Sequence, residues 1–187
     1  MKINNPRELV GKEVCDVNGN SVGYIDKTWN SWNQEYPGYF FGIKPNENTR
    51  NSHFRGTNKL FPINSDYIRE VREHITLNKT MDELSRYWNK TVQCGQTTCP
   101  TDELMEKPVY DVNNSRVGTF YSFIASDGPS HQYGILLDPY LCETWNMPYN
   151  ILIPVPTNFI VYAKESVCLD KTLDQLKEYW KQHFNIK

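Results

Sequence analysis

The sequence predicts a mainly β protein made of two tandem small antiparallel β-barrels, about six short strands in each, each followed by a C-terminal capped α-helix. Two internal repeats and a capping signature predict this. The segment Ile75–Trp88 (ITLNKTMDELSRYW) returns 92 residues later as Val167–Trp180 (VCLDKTLDQLKEYW), with 7 of 14 positions identical. Near the start of each copy, Leu9–Gly23 (LVGKEVCDVNGNSVG) returns as Leu104–Gly118 (LMEKPVYDVNNSRVG), with 8 of 15 identical. A repeat of this kind means one structural unit used twice. Its bounds place repeat one at 1–88, a linker at 89–101 and repeat two at 102–187.

The first stretch of each copy reads strand, tight turn, strand. Val14 and Val22 flank the run Val17-Asn18-Gly19-Asn20, whose Asn and Gly tolerate positive φ. The second strand continues through Trp29. A loop rich in Asn, Pro and Gly follows, and then the apolar strand Tyr39–Ile43, matched by Gln132–Leu137. Gly42 and Gly134 sit inside these strands, where a glycine signals a bulge or a close backbone approach. Residues 46–58 read as a polar loop. Leu60–Ile63 and Tyr67–Val71 read as short strands, with counterparts at Leu152–Val155 and Phe159–Tyr162. Pro62 and Pro154 share one position, which fits an edge or a strand end because proline lacks the amide donor. A last short strand covers His74–Leu77 and Ser166–Leu169.

A helix closes each unit. Thr80 with Glu83, and Thr172 with Gln175, have capping-box spacing: the hydroxyl accepts from the third amide while the acid or amide reaches back. Met81, Leu84 and Trp88 fall on one face, as do Leu173, Leu176, Trp180 and Phe184. Residues 89–101 lack periodicity and carry Gly and Pro, as a linker does.

The opening of copy one (Leu9, Gly11, Val14, Asp16, Gly19, Val22, Gly23) resembles that of the PRC-barrel family, which reads roughly Leu-x-Gly-x-x-Val-x-Asp-x-x-Gly-x-x-Ile/Val-Gly. The later apolar-Pro strand Leu60–Ile63, Ile68 and the Ile75-Thr76-Leu77 ending extend the resemblance. In copy two, Glu106 stands in for the first glycine and Asn114 for the turn glycine. The resemblance implies small barrels that dock onto other proteins, without a fixed catalytic set. Such barrels occur in a photosynthetic reaction-centre subunit, in a ribosome-maturation factor and in archaeal proteins linked to assembly of the division ring. It therefore implies an adaptor or assembly factor, with an archaeal origin and a role near cell division among its implications. Ribosome maturation or RNA processing, and a small-molecule-binding barrel, are the alternatives.

Composition narrows the function classes. The net charge is −2, which supplies no basic excess for a run of phosphates and disfavours nucleic acid as a partner. No apolar window reaches the length of a membrane span. The N-terminus carries no apolar stretch of signal-peptide length, so the expected location is cytoplasmic. Five scattered cysteines do not make a disulfide framework. Cys94 and Cys99 are spaced by four with no second ligand pair, so no metal is expected, and two linker thiols able to form a local disulfide is the favoured reading. No residue set marks a nucleophile with a positioned base, so no catalytic residue and no cofactor are expected. Asp16/Asp111 and Asp82/Asp174 recur in both copies, at a turn and in a helix first turn, where structure alone accounts for them.

The expected partner is another protein, and paired copies also suit self-association. Aromatic side chains make up 13% of the chain. Trp29, Trp32, Tyr36 and Tyr39 gather around the first long loop, and Tyr140, Trp145 and Tyr149 in copy two. In polar loops such side chains are candidate partner-binding anchors. On that reading, Trp32→Ala and Trp145→Ala leave folding intact and weaken binding. Trp88 and Trp180, on the apolar helix face, are expected in the core or at inter-domain contacts.

Overall fold

The computed structural model describes residues 5–31, 39–53, 59–88, 91–94, 97–124 and 131–184. The protein is mainly β. Copy one contains β1 (Glu13–Cys15), β2 (Ser21–Ser31), β3 (Tyr39–Pro45), α1 (Glu47–His53), β4 (Phe61–Asn64), β5 (Ile68–Val71), β6 (Ile75–Leu77) and α2 (Met81–Trp88). A hairpin, β7 (Thr91–Cys94) and β8 (Thr97–Pro100), and a short α3 (Thr101–Leu104) follow. Copy two contains β9 (Pro108–Tyr110), β10 (Arg116–Ile124), β11 (His131–Leu137), α4 (Pro139–Thr144), β12 (Ile151–Pro154), β13 (Ile160–Ala163), β14 (Val167–Leu169) and α5 (Leu173–Phe184). Two stretches differ from their sequence reading. The polar loop 46–58 contains α1, and the linker contains a paired hairpin.

Where the sequence suggests two barrels, the strand pairs make one 12-stranded sheet that spans both copies. Copy one runs β5-β6-β1-β2-β3-β4 and copy two β13-β14-β9-β10-β11-β12. The β1–β6 and β9–β14 pairs are parallel, so neither copy is wholly antiparallel. Two further parallel pairs join the copies: β4 to β10 through Ile63 and Ile124, and β12 to β2 through Ile151 with Asn30 and Leu152 with Ser31. These two contacts are the same contact seen from either copy, because β4 corresponds to β12 and β2 to β10. Followed strand to strand, β2-β3-β4-β10-β11-β12 leads back to β2. β5 and β13 stay at the ends of the order, so the sheet as a whole does not close.

Strand alternation explains how the core divides, since successive side chains point to opposite faces. Ile25, Phe41, Ile43, Phe61 and Ile63 enter a core made only of copy-one residues. Phe120, Ile135, Leu137, Ile151 and Ile153 enter the copy-two core. The opposite faces supply a third core shared by both copies: Trp29, Phe40 and Leu60 from one, Met105, Tyr121 and Leu152 from the other. The rings of Trp29 and Tyr121 lie 5.1 Å apart. Gly42 is where this core needs a glycine, because a Cβ there would meet the Trp29 ring at 2.6 Å. Pro62 and Pro154 lie opposite the two strand glycines, Gly42 and Gly134.

The Asp that recurs after the first strand ties each hairpin to its distant helix. Asp16 is buried and accepts from the amides of Asn18 (2.9 Å), Asn20 (2.8 Å) and Met81 (3.1 Å), and from the Asn20 side-chain amide (3.1 Å). Asp111 does the same with the amides of Asn113 (3.0 Å), Ser115 (2.7 Å) and Leu173 (3.1 Å). Thr80 and Glu83 close their capping box, as do Thr172 and Gln175. The left-handed turn positions persist with different residues: Gly11 (φ 87°) corresponds to Glu106 (φ 66°), and Gly19 (φ 87°) to Asn114 (φ 64°).

Candidate functional site

The aromatic residues do not form one surface. Trp29 is 2% exposed and belongs to the shared core. Tyr39 is half-buried and packs against the copy-one core. Trp145 is 8% exposed, its ring 6.0 Å from that of Trp180, so its truncation removes core packing and Trp145→Ala does not leave the fold untouched. Trp180 is itself buried and donates Nε1–H to the Pro154 carbonyl at 2.9 Å. Tyr140 and Tyr149 are the open ones, 71% and 57% exposed. Trp32 and Tyr36 lie outside the described residues, as does the Trp88 side chain.

Tyr149 stands at the junction of the copies. Its carbonyl accepts from the Asn30 side chain at 2.9 Å, and the Asn30 amide donates to the Asn150 carbonyl at 2.8 Å. Asn150, at φ 56°, returns a side-chain bond to the Thr28 carbonyl at 2.7 Å.

A second site emerges from the fold, a polar cleft of about 530 Å³ in copy one. Its walls are the β1–β2 turn, α1 and the first turn of α2, and among the described residues Met81 is its one apolar lining residue. α1 is seated there by its own cap. Asn46 Oδ1 accepts from the Thr49 amide at 2.8 Å, and the buried Thr49 hydroxyl donates to the Ser21 carbonyl at 3.2 Å. At the far end of α1, His53 Nε2 lies 3.5 Å from Asp82 Oδ1, linking α1 to α2. Ser52 Oγ lies 2.6 Å from His53 Nδ1 and donates to the Asn48 carbonyl at 2.7 Å.

Electrostatics leave the cleft negative. Burial raises the Asp16 pKa, but the hydrogen bonds from Asn20, Met81 and Asn18 outweigh it and hold the carboxyl below its usual range. Asp16 is therefore charged at neutral pH, and Asp82 adds a second carboxylate. No lysine or arginine is among the described residues that line the cleft.

In copy two the equivalent segment is α4, 92 residues on. Asp138 caps it through the Tyr140 amide at 3.0 Å. Leu141 stands where copy one has Thr49, and Trp145 where copy one has His53; both are buried in the copy-two core. The same backbone excursion is thus apolar in one copy and polar in the other. His53 looks isolated along the chain. Extending the Gly42/Gly134 alignment by eleven residues pairs it with Trp145 and is the signal that marks it.

Among the described side chains the thiols are Cys15, Cys142 and Cys168. Burial, with the Asp138 charge, pushes Cys142 up to about 11, so it stays protonated at neutral pH. Cys94 pairs with Thr97 and Cys99 with Val92, so the two linker cysteines are not register partners. Among the described residues, no three His, Cys, Asp or Glu side chains gather in a group able to hold a metal ion. No helix among them is long and apolar enough to cross a membrane. No protein-family model matches the chain, and no curated protein matches it.

Proposed function

We propose that this protein is a non-enzymatic, cytoplasmic adaptor or assembly factor that acts by docking onto another protein. Its two copies are PRC-barrel-like units joined into one body through the shared core. The observation that carries this reading is the exposure of Tyr140 and Tyr149, 71% and 57%, on the α4 excursion and the junction that follows it. Aromatic side chains held open on polar, hydrogen-bonded backbone are efficient anchors, since they offer large area at low entropic cost. The recurring carboxylates Asp16 and Asp111, by contrast, are engaged in the hairpin-to-helix clamps.

The test is affinity capture from source-cell lysate with the tagged chain, with and without nuclease, beside a Y140A/Y149A variant of unchanged thermal stability. A protein retained after nuclease and lost with the double variant supports the adaptor role. Ribosomal proteins that vanish with nuclease would point to ribosome maturation instead. Equal retention by both forms would remove the tyrosines from the docking surface.

A further inference from the structure

The β1–β2 turn carries the one Asn-Gly pair of the chain, Asn18-Gly19. A backbone amide nitrogen can attack the side-chain carbonyl of the asparagine before it. Glycine has no Cβ, so its nitrogen is the least shielded and its backbone the freest to reach the attacking geometry. Here the pair is open to water. Asn18 and Gly19 are both exposed, and at Gly19 (φ 87°) a Cβ would meet nothing within 4 Å.

The same turn is tied down by Asp16. The Gly19 amide donates to the Asp16 carbonyl at 3.0 Å, and the Asn18 and Asn20 amides donate to Asp16 Oδ1 at 2.9 and 2.8 Å. The attacking nitrogen is therefore engaged, and attack requires the turn to open locally. Copy two supplies the comparison within one molecule. There the Asn114 amide donates to the Asp111 carbonyl at 3.0 Å, and the Asn113 and Ser115 amides donate to Asp111 Oδ1 at 3.0 and 2.7 Å. Both turns place their third residue in the left-handed region, Gly19 at φ 87° and Asn114 at φ 64°. At the attacking position one copy has a glycine and the other a side chain.

We propose that Asn18 is a site of spontaneous deamidation, gated by the Asp16 clamp. When the turn opens, the Gly19 nitrogen gives up its proton to hydroxide and bonds to Asn18 Cγ. The side-chain nitrogen leaves as ammonia, and the product is a cyclic succinimide. Water then adds to one of the two ring carbonyls and breaks its bond to the ring nitrogen. Breakage at the side-chain carbonyl gives aspartate at 18. Breakage at the backbone carbonyl gives isoaspartate, with the chain rerouted through the former side chain. Nothing is oxidised or reduced, and one water is consumed for each ammonia released. Either product puts a new carboxylate beside the charged Asp16, and like charges repel. Isoaspartate also lengthens the backbone between the amides of residues 18 and 19. Both changes work against the clamp that joins the turn to α2.

The experiment ages the full chain at mildly alkaline pH and follows residues 18 and 113 by peptide mass spectrometry. Asn18 should convert, and Asn113 should be slower by about tenfold or more. D16A should speed Asn18 by about tenfold, because the turn opens more easily. D111A, which loosens the other turn, should leave the Asn18 rate unchanged. G19N installs the copy-two residue and should suppress conversion, while N114G should create a matching site at Asn113. The converted protein should unfold at lower urea than the fresh chain. Asn18 left intact in wild type and D16A while the urea-unfolded chain converts would overturn the site. Equal rates at Asn18 and Asn113 would overturn the role of Gly19. An unchanged rate in D16A, or equal acceleration by D111A, would overturn the gate. Converted protein as stable as the fresh chain would overturn the effect on the clamp.

Discussion

Replacing Asp16 with alanine removes one acceptor from two structures that are 65 residues apart in sequence: the β1–β2 turn and the start of α2. The helix share resembles loss of an N-cap, about 1 kcal/mol. The turn share is the stranding of the Asn18 and Asn20 amides. A charged acceptor gives each such bond about 1.5–3 kcal/mol, but both residues are exposed and water replaces much of it. Together these make about 2–3 kcal/mol for Asp16→Ala, and roughly half for Asp16→Asn, which keeps an acceptor oxygen and loses the charge. Urea unfolding at pH 7 followed by tryptophan fluorescence measures it. The pH dependence has a definite sign. The folded-state pKa of Asp16 is lowered, so its contribution is fully present above the unfolded value of about 3.9 and is lost as pH falls through the folded one. The gap between wild type and D16A should therefore be widest near neutrality and shrink below about pH 4. A D16A variant within about 0.5 kcal/mol of wild type at pH 7, or a gap that widens on acidification, would refute the clamp.

Trp29→Ala empties the middle of the shared core and should cost about 3–5 kcal/mol; calorimetry should still show one transition, and two separated transitions would mean the copies unfold independently. Trp145→Ala should lower the melting temperature clearly through loss of its packing on Trp180, while Tyr140→Ala at an exposed site should stay within about 0.5 kcal/mol of wild type. Glu106→Gly relieves a left-handed backbone worth about 1–2 kcal/mol and forfeits a surface contact with Lys59, for a net gain of about 0.5–1 kcal/mol in denaturant unfolding. Gly118→Ala should fail to fold normally, because its Cβ would run into the Leu136 carbonyl, and a soluble variant with wild-type stability would contradict the strand geometry.

The three cores give the joining of the copies a physical basis. The central strands turn one face to their own copy's core, and residues from the other faces of β2, β3, β10 and β12 meet, with Leu60 and Met105, around Trp29 and Tyr121. A single copy cut from the chain would expose Trp29, Phe40 and Leu60 together. The shared core, rather than the connecting hairpin, holds the halves together.

Much of this was legible in the chain. The repeat marked two copies of one sequence pattern, short apolar runs between turn signals indicated strands, and the threonine capping boxes placed the starts of α2 and α5. These are signals carried within a few residues, where backbone hydrogen bonding and strand period act. The Asp16 and Asp111 clamps could be located at a turn, but their second partners, Met81 and Leu173, lie more than 60 residues away. The helix inside 46–58 escaped because α1 is seven residues long and its cap, Asn46, depends on packing against Ser21. Trp29 and Trp145 read as loop aromatics because sequence position does not say which face of a strand or turn meets the core. The pairing of β4 with β10 and of β12 with β2 lies between distant segments, and no local pattern encodes it. It is decided when two complementary apolar faces, one from each copy, remove each other from water.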